Sequence, residues 1–295
     1  MSDVDYKLIE DYFRNVTNKG LENFNLKIGG IGLSVNAVRD GLFDTAITKY
    51  KDFLTSEEFP ESVVFYDVQT LPDPEAIIQA FDKYKEIFTA SADRHLYVYR
   101  WDFFGIIDIA ARTGKFILFN TTFMTYESII RIFYSLLAVE NHGFLIHSSS
   151  LVHHEKGYVF FGISGSGKST VVKLSGEDEC LTDELTLITK DHTGYFTAGT
   201  PFHGELPIYQ NKMARLANMF LLSKSPTTFF RKMSRSEIYP ILLRNVLFFS
   251  DDWELRQKIF NTVIDLANQV DIYEMNFEKN NKFWRIIDNG FKNED

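Results

Sequence analysis

A chain of 295 residues that is 45% hydrophobic and 15% aromatic has the length for one large domain or two modest ones, and the apolar content for a sizeable core, which excludes general disorder. Its net charge of −9 argues against a general nucleic-acid binder, because affinity for the phosphate backbone comes from clustered Lys and Arg. The lone Cys180, the lack of a basic-then-apolar leader and the lack of a bilayer-length apolar run point to a cytoplasmic protein with no membrane partner.

Residues 1 to about 20 mix charge with scattered apolar positions and read as a short helix or a loosely held arm. "FNLKIGGIGLSVNAV" (24–38) alternates around glycines and predicts two strands and a turn. It lacks the glycine spacing and the following helix of a dinucleotide fingerprint. "SVVFYDV" (62–68) predicts a strand, and "PDPEAIIQAFDKYKEIF" (72–88) a helix with proline at its start. "HLYVYRWDFFGIIDIA" and "GKFILFN" predict further strands, followed by a helix over "YESIIRIFYSLLAVENHG" that stops on Gly143.

Residues 144–154 and 157–164 predict paired strands, "GKSTVVKLSG" a helix, and 180–189 and 194–202 two more strands. "MARLANMFLLSK" fits a strand or a helix, while "SRSEIYPILLRNVLF" and "WELRQKIFNTVIDLANQ" fit helices. "DIYEMNF" then predicts a strand and "NKFWRIID" a closing helix. The change in content near 140 suggests an N-terminal α+β region, 1–140, and a second domain, 141–295.

"GISGSGKST" (162–170) fits G-x-x-x-x-G-K-[ST], in which glycines let successive amides converge on phosphate oxygens and the following helix adds its positive end. Gly162, Ser164, Gly165, Ser166, Gly167, Lys168, Ser169 and Thr170 are the candidate nucleotide-binding residues. Lys168 would reach the terminal phosphates and Ser169 a Mg²⁺ ion. A chance match in a chain this long has a probability of roughly 1%, and a β-favouring run before the loop and a helical run after it supply the expected context. The competing reading is a glycine-rich turn with a solvated lysine.

Such a site also needs a carboxylate for the metal. Asp183 and Glu184 follow Lys168 by 15 and 16 residues, although they also fit charges at the exposed end of a strand. Adjacent strand residues face opposite sides unless a bulge turns both inward. His147 lies in the strand before the loop and reads as either a core or edge histidine or a catalytic one. The other histidines, at 95, 142, 153, 154, 192 and 203, show no metal-site spacing. A zinc or metalloprotease centre is therefore not expected.

"GFLIHSSSLVHHEKGYVFFGISGSGKSTVVKL", "LTDELTLI" and "GTPFHGE" together resemble the HPr kinase/phosphorylase-like branch of the phosphoenolpyruvate carboxykinase-type proteins, most strongly over 143–206. The resemblance implies an α/β fold: a mixed β-sheet core with a phosphate loop, flanked by helices, plus a smaller N-terminal α+β part. It implies that His147 approaches the reacting phosphate, that Asp183 holds the metal, and that Glu184 stands where relatives carry a second aspartate acting as base. It also implies that His203 and Glu205 line the site, against a turn of structural value only. Relatives are often homo-oligomers, though no coiled-coil heptad supports that here. The glycine- and arginine-containing acceptor segment of the protein-kinase members is absent from this text, which turns the expected acceptor from HPr towards free serine or a serine in a peptide.

The expected function is an ATP-dependent (or other NTP-dependent), Mg²⁺-assisted kinase acting on the hydroxyl of a small molecule, peptide or protein. The alternative is a nucleotide-binding regulatory or interaction module with little chemistry. NTP hydrolysis driving a conformational change ranks below both, as no water-positioning residue or arginine finger is evident.

Overall fold

The computed structural model describes residues 6–16, 19–119, 122–176, 179–204, 206 and 208–291. The chain is mixed α/β, with two mixed sheets and, among the described residues, eight α-helices. It divides into two compact units, Met1–Phe133 with Phe249–Arg256, and Tyr134–Phe248 with Gln257–Asp295.

The first unit opens with α1 (Tyr6–Asn15), then β1 (Leu21–Ile28) and β2 (Ile31–Val38) around Gly29 and Gly30. α2 (Gly41–Lys49) follows, its first amides bonded to the Asp40 side chain, which is the capping that starts a helix. β3 (Leu54–Thr55), β4 (Ser62–Asp67), α3 (Pro74–Phe81) and the antiparallel strands β5 (Phe88–Ala92), β6 (His95–Arg100), β7 (Phe103–Asp108) and β8 (Thr113–Leu118) complete the sheet. Its order is β3-β1-β2-β4-β8-β7-β6-β5. One face buries an aromatic cluster that includes Phe13, Tyr66, Phe81, Tyr97, Phe104 and Phe119. α3 ends at Phe81, so the helix expected to run to 88 is shorter and gives way to a turn before β5.

α4 (Phe123–Glu140) ends in a turn where His142 takes the left-handed conformation (φ 54°) and the Gly143 N–H bonds back to Ala138. Gly143 therefore serves a close approach rather than the left-handed stop, since a Cβ there would lie 2.0 Å from the Ile188 carbonyl oxygen.

The second unit holds β9 (Phe144–His153), β10 (Lys156–Phe161), α5 (Lys168–Ser175), β11 (Cys180–Thr182), β12 (Leu185–Asp191), β13 (Gly194–Ala198), β14 (Met213–Lys224) and β15 (Phe229–Lys232). α6 (Arg235–Asn245), β16 (Val246–Leu247), α7 (Trp253–Gln269), β17 (Asp271–Phe277) and α8 (Lys282–Asp288) follow. The sheet runs β10-β9-β12-β13-β14-β17-β15, and β10 also pairs with β14, so the first five strands form a ring of pairings. β14 is a strand because β10 and β17 take its two edges, both parallel to it. The core gathers Phe160, Val171, Val172, Phe220, Met275, Phe277 and Phe283 from the sheet, α5 and α8. No helix among the described residues is long and apolar enough to cross a membrane.

Candidate functional site

β10, KGYVFF, is buried along its length after Lys156. A strand bonded on both edges and covered on both faces needs no polar alternation, which explains the continuous apolar run. At Phe161 the chain leaves the sheet at the C-terminal ends of the parallel trio β10, β14 and β17, the end of an α/β sheet where ligands bind.

The loop that follows uses left-handed backbone at Gly162 (φ 146°), Gly165 (φ 76°) and Gly167 (φ 115°). Gly167 has a second reason to be glycine, because a Cβ there would stand 2.6 Å from Cζ of Phe277 at the end of β17. The Ser166 N–H closes the loop onto the Ile163 carbonyl at 3.1 Å, and Val171 N–H to Gly167 O at 2.9 Å opens α5. The first-turn amides of α5, including those of Ser169 and Thr170, have no carbonyl to bond within the helix and carry its partial positive charge. Ser164 and Gly165 are exposed, whereas Ser169 and Thr170 are half-buried. Ser166 is only 7% exposed, and its Oγ has no hydrogen-bond partner among the described residues. An unsatisfied buried hydroxyl costs about 1–3 kcal/mol, so this one suits a polar ligand in the loop.

Lys168 is 9% exposed. Its Nζ folds back to the loop's own carbonyls, 3.1 Å from Gly162 O and 3.5 Å from Ile163 O. Burial pushes the ammonium below its ordinary pKa, and the negative charge of Glu184 works against that lowering. The loop thus holds a desolvated cation within the field of one of the two acids.

Asp183 and Glu184 occupy the bend between β11 and β12. Asp183 is 4% exposed; its Oδ1 accepts the Gly204 N–H at 2.8 Å and its Oδ2 the Leu206 N–H at 2.9 Å. A Cβ on Gly204 would lie 3.0 Å from Glu184 Oε2 and 3.3 Å from Asp183 Oδ2, so both carboxylates converge on this glycine. In a straight strand two adjacent side chains would diverge; the bend brings them together. Each Asp183 oxygen keeps a further lone pair beyond its amide bond.

His147 on β9 opposes Leu185, the residue after Glu184. Ser149, two residues on and on the same face, bonds through its Oγ to the Lys168 carbonyl at 3.4 Å. That face is the one α5 covers, and His147 belongs to it. His203 stacks on Tyr209 at 5.7 Å and 13°, with Nδ1 3.4 Å from Gly204 O. His203 is thereby brought to the same glycine as the two acids, while Glu205 lies outside the described residues. Neither Ser149 nor Tyr209 stood out in the sequence; the serine triplet after His147, polar inside an apolar strand, was the available signal for Ser149.

A separate cavity of about 640 Å³ in the same unit is lined by residues that include Glu140, Lys190, Tyr195, Lys258 and Asp265, none from the loop or the acid pair. Tyr195 OH donates to Asp265 Oδ2 at 2.6 Å, and Lys190 Nζ lies 2.6 Å from the same oxygen. Burial and the Asp265 contact push the Tyr195 hydroxyl well above its ordinary pKa. Burial acts to raise Asp265, but the hydrogen bonds from Lys190, Tyr195 and Gln269 hold it below the usual carboxylate range.

Residues 118–292, more than half of the chain, match the family model described as ScmC, SynChlorMet cassette protein ScmC. This overturns the resemblance to the HPr kinase/phosphorylase-like family and the fold-family name attached to it. The motifs behind that resemblance, a glycine loop, a following lysine and hydroxyl, and acids one strand away, are what holding phosphate demands of any chain, so they do not separate one family from another. No curated protein matches the chain.

Proposed function

We propose that this chain, which belongs to the ScmC family, is an ATP-dependent kinase transferring a phosphoryl group to a hydroxyl, either a serine in a peptide or protein or a small molecule such as free serine. One observation carries the reading: the loop between β10 and α5 buries Lys168 within the field of Glu184, and Glu184 and Asp183 converge on Gly204. A buried loop cation suits the phosphate donor, and a nearby acid pair suits a metal and an acceptor proton. ATP is the phosphoryl donor in this reading.

The loop amides between Gly162 and Thr170 other than that of Ser166, the orphaned Ser166 hydroxyl and Lys168 would hold the phosphates. Ser169 and Asp183 would hold Mg²⁺, which supplies charge neutralisation when bound. Glu184, with His147 on the neighbouring strand, would accept the proton of the acceptor hydroxyl as its oxygen takes the γ-phosphoryl group and the bond to ADP breaks. Catalysis then rests on positioning and charge complementarity.

A second reading, a nucleotide-binding regulatory module, draws on Asp183, both of whose oxygens accept backbone amides of the 204–206 segment. Full-length protein with γ-labelled ATP, Mg²⁺ and a panel of free serine and serine-containing peptides separates the two. The kinase transfers label to an acceptor and loses the transfer in Lys168→Ala. A regulatory module transfers none, loses nucleotide-dependent partner binding in Lys168→Ala and keeps it in Glu184→Gln.

A further inference from the structure

We propose that His153, His154 and Asp288, with Glu179 behind them, form a binding site for a divalent transition-metal cation of the zinc type. The His153 Nε2 lies 3.3 Å from Asp288 Oδ1, and the His154 Nε2 lies 3.9 Å from Oδ2 of the same carboxylate. One ligand atom from each of the three residues falls within 4.8 Å of the others. Zinc bonds of about 2.0–2.2 Å to nitrogen and oxygen place tetrahedral ligands roughly 3.3–3.5 Å apart. The His153–Asp288 pair already has that spacing, and the exposed His154 ring is the member that would have to move inward.

Two features go beyond a chance ion pair. The other nitrogen of His153, Nδ1, is 3.4 Å from Glu179 Oε1. With an ion bound, a carboxylate on that side would accept the Nδ1–H and leave the Nε2 lone pair for the metal, the carboxylate–histidine arrangement that supports metal ligands. The ring is also fixed from its face by Trp284, stacked at 4.1 Å and 24°, whose indole N–H donates to Ser175 Oγ at 2.9 Å.

The backbone points the same way. His154 and Glu155 form the two-residue turn between β9 and β10 with φ of 47° and 63°. Such a turn favours Asn, Asp or Gly, and other side chains cost about 1–2 kcal/mol each there. That cost places a second imidazole against the first, with ring centroids 4.1 Å apart. Two imidazoles with one carboxylate select zinc, cobalt or nickel over magnesium or calcium, which prefer oxygen alone. The ion would tie the hairpin ahead of the 162–167 loop to α8, with Glu179 reaching in from just beyond the end of α5. Sequence spacing hides the site because Asp288 lies 135 residues beyond His153.

The test uses full-length protein carrying no affinity tag, stripped with chelator and titrated with Zn²⁺ by calorimetry and with Co²⁺ and Ni²⁺ by absorbance and tryptophan emission. One equivalent of Zn²⁺ is expected to bind in the presence of excess Mg²⁺, with Ni²⁺ quenching part of the emission. His154→Ala and Asp288→Asn abolish the binding, Glu179→Gln weakens it about 10–100-fold, and Trp284→Phe keeps the stoichiometry while losing most of the quench. His154 is exposed, so its variant reports on the site without disturbing the core. No stoichiometric Zn²⁺ binding, or binding unchanged in both His154→Ala and Asp288→Asn, overturns the proposal.

Discussion

Two glycine-rich stretches in this chain do different work. At Gly29–Gly30 the backbone takes φ of 56° and 84° and returns at once as the antiparallel partner, with Ile28 opposite Ile31. At 162–167 three left-handed glycines follow a strand that lies beside a parallel neighbour, so the chain leaves the sheet and opens α5 instead of turning back. Glycine supplies the same permission in both places. What comes next decides the outcome: a partner strand consumes the backbone groups, whereas a helix start leaves amides directed outward over a buried lysine.

The largest effect that sharpens this contrast is expected at Glu184. Glu184→Gln keeps the size of the side chain and removes its charge, so phosphoryl transfer should fall by about 10²–10⁴-fold while ATP affinity is retained, as single-turnover rates and equilibrium binding would show. Equal rates in both proteins would remove Glu184 from the chemistry.

The glycines themselves give the next effect. Gly167→Ala puts a Cβ against the Phe277 ring at 2.6 Å in a left-handed backbone, for which about 2–4 kcal/mol of lost stability and lost nucleotide binding are expected. Gly30→Ala meets nothing within 4 Å and should cost only about 1–2 kcal/mol for its φ, with nucleotide binding intact. Urea denaturation with ATP titration distinguishes them, and equal costs would break the contrast.

The smallest effect belongs to a surface cap at the start of α6. Glu237 is held down to about 2 by the Ser234 side-chain and backbone hydrogen bonds and by Arg231, and belongs to the capping box of α6. A carboxyl with a depressed pKa stabilises the fold fully above its ordinary value and loses that contribution as pH falls towards the folded value. The small stability gap between wild type and Glu237→Gln should therefore hold from pH 7 to about 5 and close progressively below about 4.5. A gap independent of pH would remove the cap's charge from the account.

What the sequence discloses follows from how local each feature is. The glycine turn at 162–167 and the start of α5 are legible because they sit in consecutive residues, and the β1–β2 hairpin because its glycines interrupt a clean alternation. The short strands β5 and β15 escaped because Phe88 and Phe229 at their starts are exposed, which hides the two-residue period. "MARLANMFLLSK" fits either element because the alternation over 213–216 gives way to the adjacent buried pair Met219 and Phe220. α2 is announced in the sequence only by its Asp40 cap. The convergence of Asp183 and Glu184 depends on a bend that no residue type announces. Likewise the approach of Asp288 to His153 and His154 is set by how α8 docks, which pattern alone does not encode.

The central claim is that the loop holds nucleotide phosphates through Lys168, and equilibrium binding of Mg²⁺·ATP to full-length wild type and Lys168→Ala tests it most directly. Wild type should bind and the variant should bind at least about tenfold more weakly, as loss of a charge-assisted contact of about 1.5–3 kcal/mol implies. Because burial lowers the Lys168 pKa, the wild-type affinity should begin to fall at a pH below the ordinary lysine range. Binding of equal strength in the two proteins would contradict the account.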